Sequence, residues 1–228
     1  MLDDIQVLGR EGSIATQNKV LRNTYALLGM TMIPTVIGAM IGIKMNFAWL
    51  AASPIMGVIG IMVAVYGMSW LVSKNSNNAA GVWLLFGFTF ILGMLLGPIL
   101  QHALNLSNGG QLIGLAAGGT AASFLVLSAI ASTTKRDFSF MGKFLAIGMV
   151  LVILAVVANL FFQVPALSLT ISAIVVLLMA GFILYEINQI VRGGQTNYVM
   201  ATMSLYMSLH NMFTSLLHLL MAFAGNRE

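Results

Sequence analysis

Seven long apolar segments, separated by short polar connections, constrain this chain more than any other feature of its sequence. At 1.5 Å per residue, each is long enough as a helix to cross a hydrocarbon core about 30 Å thick. The predicted helices cover residues 24–43, 48–72, 81–100, 112–132, 144–162, 167–190 and 198–224. Only 7% of the residues are charged, against roughly 25% in soluble domains. The pattern predicts an all-α membrane protein, with a seven-helix transmembrane domain over residues 21–228.

The amino-terminal segment, residues 1–20, is polar and mixed in charge. Its low apolar content predicts a cytoplasmic tail that is exposed and unfolded, or that lies on the membrane surface. It contains no apolar run of the kind that a cleavable signal peptide needs, so we expect the first helix to serve as an uncleaved targeting segment. The chain has no cysteine, which excludes disulfides, thiolate metal sites and cysteine nucleophiles.

The distribution of basic residues predicts the orientation of the bundle. If the amino terminus is cytoplasmic, the inside segments hold Arg10, Lys19, Arg22, Lys74, Lys135, Arg136, Lys143 and Arg192, and the outside segments hold only Lys44 and Arg227. Basic residues are enriched in the cytoplasmic loops of membrane proteins. We therefore expect a multi-pass protein whose amino terminus is cytoplasmic and whose carboxyl terminus is outside. The net charge of +4 is then an orientation signal, and no nucleic-acid partner is expected.

The last two predicted helices carry an unusual set of polar residues. Glu186 is the only acidic residue within an apolar segment, and a carboxylate in hydrocarbon normally faces a bundle interior or a water-filled cavity. On the last helix, Ser204, Ser208, Asn211 and Ser215 share one face, and Tyr206 and His210 line another side. A helix that is polar on two sides cannot face lipid on both. We therefore expect the last helix to lie inside a ring of other helices, with Glu186 nearby.

These residues are the candidates for an ion path or a pH gate, and each has a structural alternative. Glu186 is interpreted as a titrating or ion-gating group, or as an acceptor for groups of the last helix or for Arg192. His210 could relay protons or be a neutral packing histidine. Ser204, Ser208 and Asn211 could line a pore or join helices by hydrogen bonds.

The same residues limit the chemistry that is expected of the protein. One glutamate with hydroxyl groups offers at most a weak calcium site, since calcium takes six to eight oxygen ligands. We expect no cofactor apart from calcium. The apolar segments contain no second acid with which to build a catalytic triad or an acid pair, so an enzyme is not expected.

Small residues recur at four-residue spacing, and such spacing allows helix backbones to approach closely in lipid. The pairs are Gly38 with Gly42 and Gly93 with Gly97, and a longer stripe comprises Gly110, Gly114, Gly118 and Ala122. We expect all of them to mark close helix contacts. Gly193 and Gly194 are interpreted as the cap that ends the sixth helix. Thr196 or Asn197 is expected to cap the start of the seventh.

The motif GFILYEINQI, followed by GGQTNYVMATMSLYMSLHNMF, resembles the signature of the Bax inhibitor family of membrane proteins. Four further stretches support the resemblance: KVLRNTYALLGMTM, GMLLGPIL, GGTAASFLVLSAIASTTKRDFSFMGKFL and VVANLFFQVPALSLTISA. Together they cover nearly the whole chain. They look most like the family's bacterial YccA branch, which implies residence in the bacterial inner (plasma) membrane.

The resemblance implies a seven-helix fold whose last helix is enclosed by the other six, and it leaves two functions open. Some family members are pH-sensitive calcium leak channels, gated by two facing acids on the last two helices. Glu186 matches the first acid position, but Ser208 stands at the second. Proteins of the YccA branch bind and restrain the membrane-anchored AAA protease FtsH. The expected partner in the lipid bilayer is therefore an FtsH-type protease, with calcium or protons as the ligands of the alternative, a cation leak channel.

Overall fold

The computed structural model describes residues 2–47, 53–134 and 136–225, and this part of the chain forms eight α-helices. They are α1 (Leu2–Lys44), α2 (Pro54–Lys74), α3 (Ala79–Leu95), α4 (Gly97–Leu104), α5 (Gly109–Thr133), α6 (Met141–Phe162), α7 (Pro165–Val191) and α8 (Tyr198–Gly225). Within these residues, seven spans are long and apolar enough to cross a membrane. The predicted seven-helix membrane fold is confirmed.

The third span consists of two helices, because α3 and α4 together run from Ala79 to Leu104. The helices divide at Leu96, two residues before Pro98. Proline has no N–H to donate to the preceding turn, so the helical hydrogen-bond ladder cannot continue unbroken through it. The second span begins at Pro54, later than predicted, and residues 48–52 lie outside the described part of the chain.

Helix α1 starts well before the first apolar segment. Its 43 residues correspond to about 64 Å of helix, roughly twice the thickness of a hydrocarbon core. The expectation of an unfolded tail is therefore wrong for residues 2–20, whose backbone is helical. Adding residues to a helix that the apolar segment already forms costs far less than nucleating a new one. The side of the membrane on which this extension lies stays a prediction.

Helix α8 occupies the centre of the bundle, as predicted. It packs most extensively on α7, and it also contacts α1, α2, α3, α4 and α5. Its side chains Leu205, Tyr206, Met212 and Leu217 are buried. Helix α6 packs on α7, and in the described part of the chain its side chains meet those of α8 around two cavities.

The interface between α1 and α3–α4 is built on the two predicted glycine pairs. A β-carbon on Gly93 would lie 2.9 Å from the Cα of Thr35, and one on Gly42 would lie 3.0 Å from the Cα of Met94. A β-carbon on Gly38 would likewise meet the backbone of Phe90. Since backbone meets backbone here, only glycine permits this approach, and the predicted close contact is confirmed.

The glycine stripe of α5 does not pack in this way. Gly110, Gly114 and Gly118 have no atom within 4 Å of the position that a β-carbon would take. The buried residues of α5 include Leu112, Ala116 and Thr120, which are two residues away from the stripe and therefore on the opposite side of the helix. The prediction of close packing is wrong for these glycines, because α5 turns its other face towards α7 and α8.

The turn between α7 and α8 closes one end of the bundle. Gly193 has a φ of 78°, and the N–H of Gly194 donates to the carbonyl of Gln189 at 2.8 Å, so the predicted glycine cap is confirmed. Asn197 is the residue that caps α8, since its Oδ1 accepts from the N–H groups of Val199 at 2.9 Å and Met200 at 3.0 Å. Such an amino-terminal cap satisfies N–H groups that lack helical partners.

Side chains of this turn and of α7 also hold two neighbouring loops. The Asn197 amide donates to the carbonyl of Ser76 at 3.2 Å. Asn188, buried on α7, accepts from the N–H of Phe138 at 3.1 Å and donates to the carbonyl of Arg136 at 3.2 Å. In the same loop, hydrogen bonds from Ser139 hold the pKa of the Asp137 carboxyl below its usual range.

Candidate functional site

Glu186 and Ser208 face each other where α7 packs on α8. The Ser208 hydroxyl donates to the Glu186 carboxyl at 3.3 Å (Oγ to Oε2). Ser208 is buried and Glu186 is half-buried. The two positions that the resemblance pairs as facing acids are therefore in contact in this chain, as an acid and an alcohol.

A cavity of about 190 Å³ lies beside this contact. Its walls include Glu186, Ser204, Ser208 and Asn211, together with Met149, Met179, Phe182, Met203 and Met207. The structure thus brings four of the six predicted site residues together. The Asn211 amide donates to the carbonyl of Met207 at 2.9 Å, within its own helix. Whether these groups act on an ion stays a prediction.

Tyr206, the fifth predicted residue, points away from this cavity. Its hydroxyl lies 2.8 Å from the Thr35 hydroxyl and donates to the carbonyl of Thr89 at 3.3 Å. Its ring meets Phe88 edge to face at 6.5 Å between centroids. Tyr206 therefore joins α8 to α1 and α3.

His210, the sixth predicted residue, lies one turn further along α8, with its ring centroid 6.0 Å from that of Tyr206. It borders two other cavities, of about 370 and 680 Å³. The smaller is lined by residues of α1, α5 and α8, and the larger by residues of α2, α3, α6, α7 and α8. His210 is thus placed between two cavities and apart from the wall that carries Glu186.

The cavity of about 680 Å³ has an apolar side and a polar side. Helix α6 lines it with apolar residues such as Val156, whereas α7 and α8 contribute Ser172, Thr214 and Ser215 among others. Ser172 also shares a hydrogen bond of 2.9 Å with the Nδ1 atom of His218. Asn211 and three methionines belong both to this cavity and to the one beside Glu186.

The structure favours one of the alternatives for the partner of Glu186. Its hydrogen bond comes from Ser208 of the last helix. The Arg192 guanidinium lies at the end of α7, where its Nε is 4.0 Å from Asp137 Oδ1. The interpretation of Glu186 as an acceptor for a group of the last helix therefore has a direct contact behind it.

Several polar residues that join helices or hold a loop were missed by the sequence interpretation. Thr35 and Thr89 meet Tyr206, and Asn188 anchors the loop before α6. Asn188 could have been found from the sequence, because it is a second polar residue in an apolar helix, two positions after Glu186. The threonines gave no such signal, because a threonine in a membrane helix commonly bonds to its own preceding turn.

Together, the fold and this site define a class: a seven-helix integral membrane protein with an acid held inside the bundle by its last helix. Comparison with known proteins identifies the family. The family model described as "Inhibitor of apoptosis-promoting Bax1" matches residues 17–225. The chain belongs to the Bax inhibitor family.

Its bacterial relatives match over most of their length. "Modulator of FtsH protease YccA" of Escherichia coli is 43% identical over 208 residues, 91% of this chain and 92% of the relative. An uncharacterised protein of Neisseria meningitidis is 41% identical over 212 residues, 92% of this chain and 93% of the relative. An uncharacterised membrane protein of Vibrio cholerae is 40% identical over 203 residues, 89% of each chain.

Proposed function

We propose that this protein is an inner-membrane regulator that binds an FtsH-type AAA protease and restrains its attack on other membrane substrates. The observation that carries the proposal is the relative named as a modulator of that protease, 43% identical over 91% of this chain. A second Escherichia coli relative, 43% identical, is named as an inner membrane protein.

The amino-terminal part of α1 supplies a means of engagement. Residues 2–15 precede the candidate first span, which starts at Thr16. They are polar and mixed in charge, so an extension of this kind belongs in water rather than in hydrocarbon. A protease that pulls on its substrates needs such a segment to begin. Our proposal places this extension on the cytoplasmic side, as the distribution of basic residues predicts.

The bundle behind the extension supplies the restraint. Helix α1 packs along α3 and also contacts α4, α7 and α8. At the far end of α1, the Gln101 amide donates to the carbonyls of Ile43 at 2.8 Å and Met45 at 2.9 Å. A substrate that is engaged but extracted slowly occupies the protease and so competes with other substrates.

Two measurements on the full chain test this proposal. The first is co-purification with the protease from mild detergent, and the second is the turnover of an unrelated membrane substrate when this protein is overproduced. We expect the protease to co-purify and the other substrate to persist longer. A variant that lacks residues 2–15 should itself become long-lived.

The matched control for the deletion replaces residues 2–15 by an unrelated polar segment of equal length. If residues 2–15 serve only as the segment on which the protease begins to pull, this control should restore turnover of the protein. Failure of the full chain to co-purify, together with normal turnover of the other substrate, would overturn the proposal.

A second candidate function is a pH-sensitive cation leak, calcium included, with Glu186 as the intramembrane gate. The observation that favours it is the contact between Glu186 and Ser208 beside a cavity. An ionisable residue inside a membrane protein is a functional candidate because its burial is costly. In this candidate, breaking the contact between α7 and α8 opens the path.

Calcium flux through the purified protein in liposomes, measured across pH, tests the leak. Glu186→Gln removes the titrating proton and should flatten the pH profile of the flux. Ser208→Asp restores a second acid and should increase calcium flux. His210 lies on α8 but lines other cavities than the one beside Glu186, so His210→Gln tests whether this histidine contributes, and an unchanged pH profile is expected if Glu186 is the gate. Absence of flux in all four proteins would eliminate this candidate.

A further inference from the structure

The cavity beside Glu186 is lined by an unusual concentration of methionines. Met149 comes from α6, Met179 from α7, and Met203 and Met207 from α8. Four methionines from three helices therefore line one cavity of about 190 Å³.

Three of these methionines also border the larger cavity. Met149, Met179 and Met207 line both the space beside Glu186 and the cavity of about 680 Å³. Their side chains can adapt to an occupant, because a methionine side chain has three rotatable bonds.

The donor set in this cavity suits a soft cation better than a hard one. Calcium takes six to eight oxygen ligands, and the side-chain oxygens of the cavity come only from Glu186, Ser204, Ser208 and Asn211. Thioether sulfur is a soft ligand that favours Cu(I).

Charge balance points to the same cation. A Cu(I) ion carries one positive charge, which the single carboxylate of Glu186 compensates. A divalent ion would leave one uncompensated positive charge within the membrane, and such a charge is costly. No other acidic or basic side chain lines the described part of this cavity.

We propose that the cavity beside Glu186 is a binding site for Cu(I), held by the thioethers of Met149, Met179, Met203 and Met207 and balanced in charge by Glu186. This site does not depend on the proposed regulation of a protease. The competing explanation is that the methionines only fill an irregular space in the core.

The experiment measures Cu(I) affinity in the purified full-length protein under anaerobic conditions, by competition with a chromophoric Cu(I) chelator. We expect one tightly bound ion per chain. The triple variant Met149→Leu, Met179→Leu, Met207→Leu should lower the affinity by at least about tenfold, a loss that even outer-sphere changes cause at metal sites. Leucine keeps the volume and the apolar character, so the variant should remain folded.

The chain holds 17 methionines, so the control removes three that face away from the protein interior. Met30, Met40 and Met56 are 53%, 62% and 69% exposed, and their triple replacement by leucine should leave the affinity unchanged. Glu186→Gln should weaken binding without removing it. X-ray absorption on the loaded protein should show sulfur neighbours at the copper. Equal losses in the two triple variants, or no bound ion in the parent, would overturn the proposal in favour of simple core filling.

Discussion

The interface of α1 with α3 and the outer face of α5 carry the same sequence pattern but differ in structure. In both, glycines recur at four-residue spacing. At the first, a β-carbon on Gly38 or Gly93 would run into the backbone of the neighbouring helix. At the second, a β-carbon on Gly114 or Gly118 would meet nothing within 4 Å.

The difference shows that glycine spacing permits a close approach without specifying it. Helix α5 is anchored on its opposite side through Leu112, Ala116 and Thr120. In helix α1, by contrast, the glycine face is itself the one turned towards α3 and α4. Replacing single glycines by alanine in each region tests this reading, since one methyl group is the smallest change that separates the two.

The largest effect is expected for Gly93→Ala. The added β-carbon would lie 2.9 Å from the Cα of Thr35, and backbone atoms cannot rotate away as a side chain can. We expect a loss of about 3 kcal/mol in the free energy of unfolding, at the upper end for an overpacked core. Reversible unfolding in detergent micelles measures this loss. A change below about 0.5 kcal/mol would mean that α1 and α3 are not in backbone contact.

An intermediate effect is expected for Gly148→Ala, at the interface of α6 with α7. Here the added β-carbon would lie 2.7 Å from the Cδ2 atom of Leu178, and that methyl group can move by a change of rotamer. We expect a loss of about 1 kcal/mol, measured in the same unfolding assay. Combining the change with Leu178→Ala supplies the control, because the double variant should show no additional loss from the glycine replacement.

The smallest effect is expected for Gly118→Ala. Its β-carbon would enter open space, so we expect no loss in the free energy of unfolding and a gain of roughly 0.5 kcal/mol, because alanine favours a helix over glycine. Gly114→Ala should behave in the same way. A loss comparable with that of Gly93→Ala would contradict the placement of this stripe on the outer face of α5.

Much of the fold could be predicted from the sequence, because it follows from composition and length. A long apolar segment in lipid must form a helix that satisfies its own backbone groups, and so the seven spans were predictable. The break at Leu96 was not foreseen, since the third segment was predicted as one helix over residues 81–100. The helical extension before residue 16 was not foreseen. Low apolar content indicates that a segment does not fold by itself, but such a segment can still prolong a helix that its neighbour forms.

The candidate site was predictable only as far as the pattern within one helix determines it. Helical periodicity placed Ser204, Ser208 and Asn211 on one face of α8, and the structure gathers them beside Glu186. Periodicity within one helix does not determine which neighbour each face meets. The separation of Tyr206 and His210 from Glu186, and the convergence of methionines from three helices, depend on how the helices pack.

The continuity of α1 determines how the bundle would respond to mechanical load. A pull on its amino-terminal end acts along the helix axis, which is also the direction in which α1 lies against α3. The load is then borne in shear, with the contacts at Gly38, Gly42 and Gly93 sharing it in parallel instead of parting one after another. At the distal end, Gln101 ties the last carbonyls of α1 to α4. A force applied from this end therefore has to break these contacts together and cannot separate them one at a time.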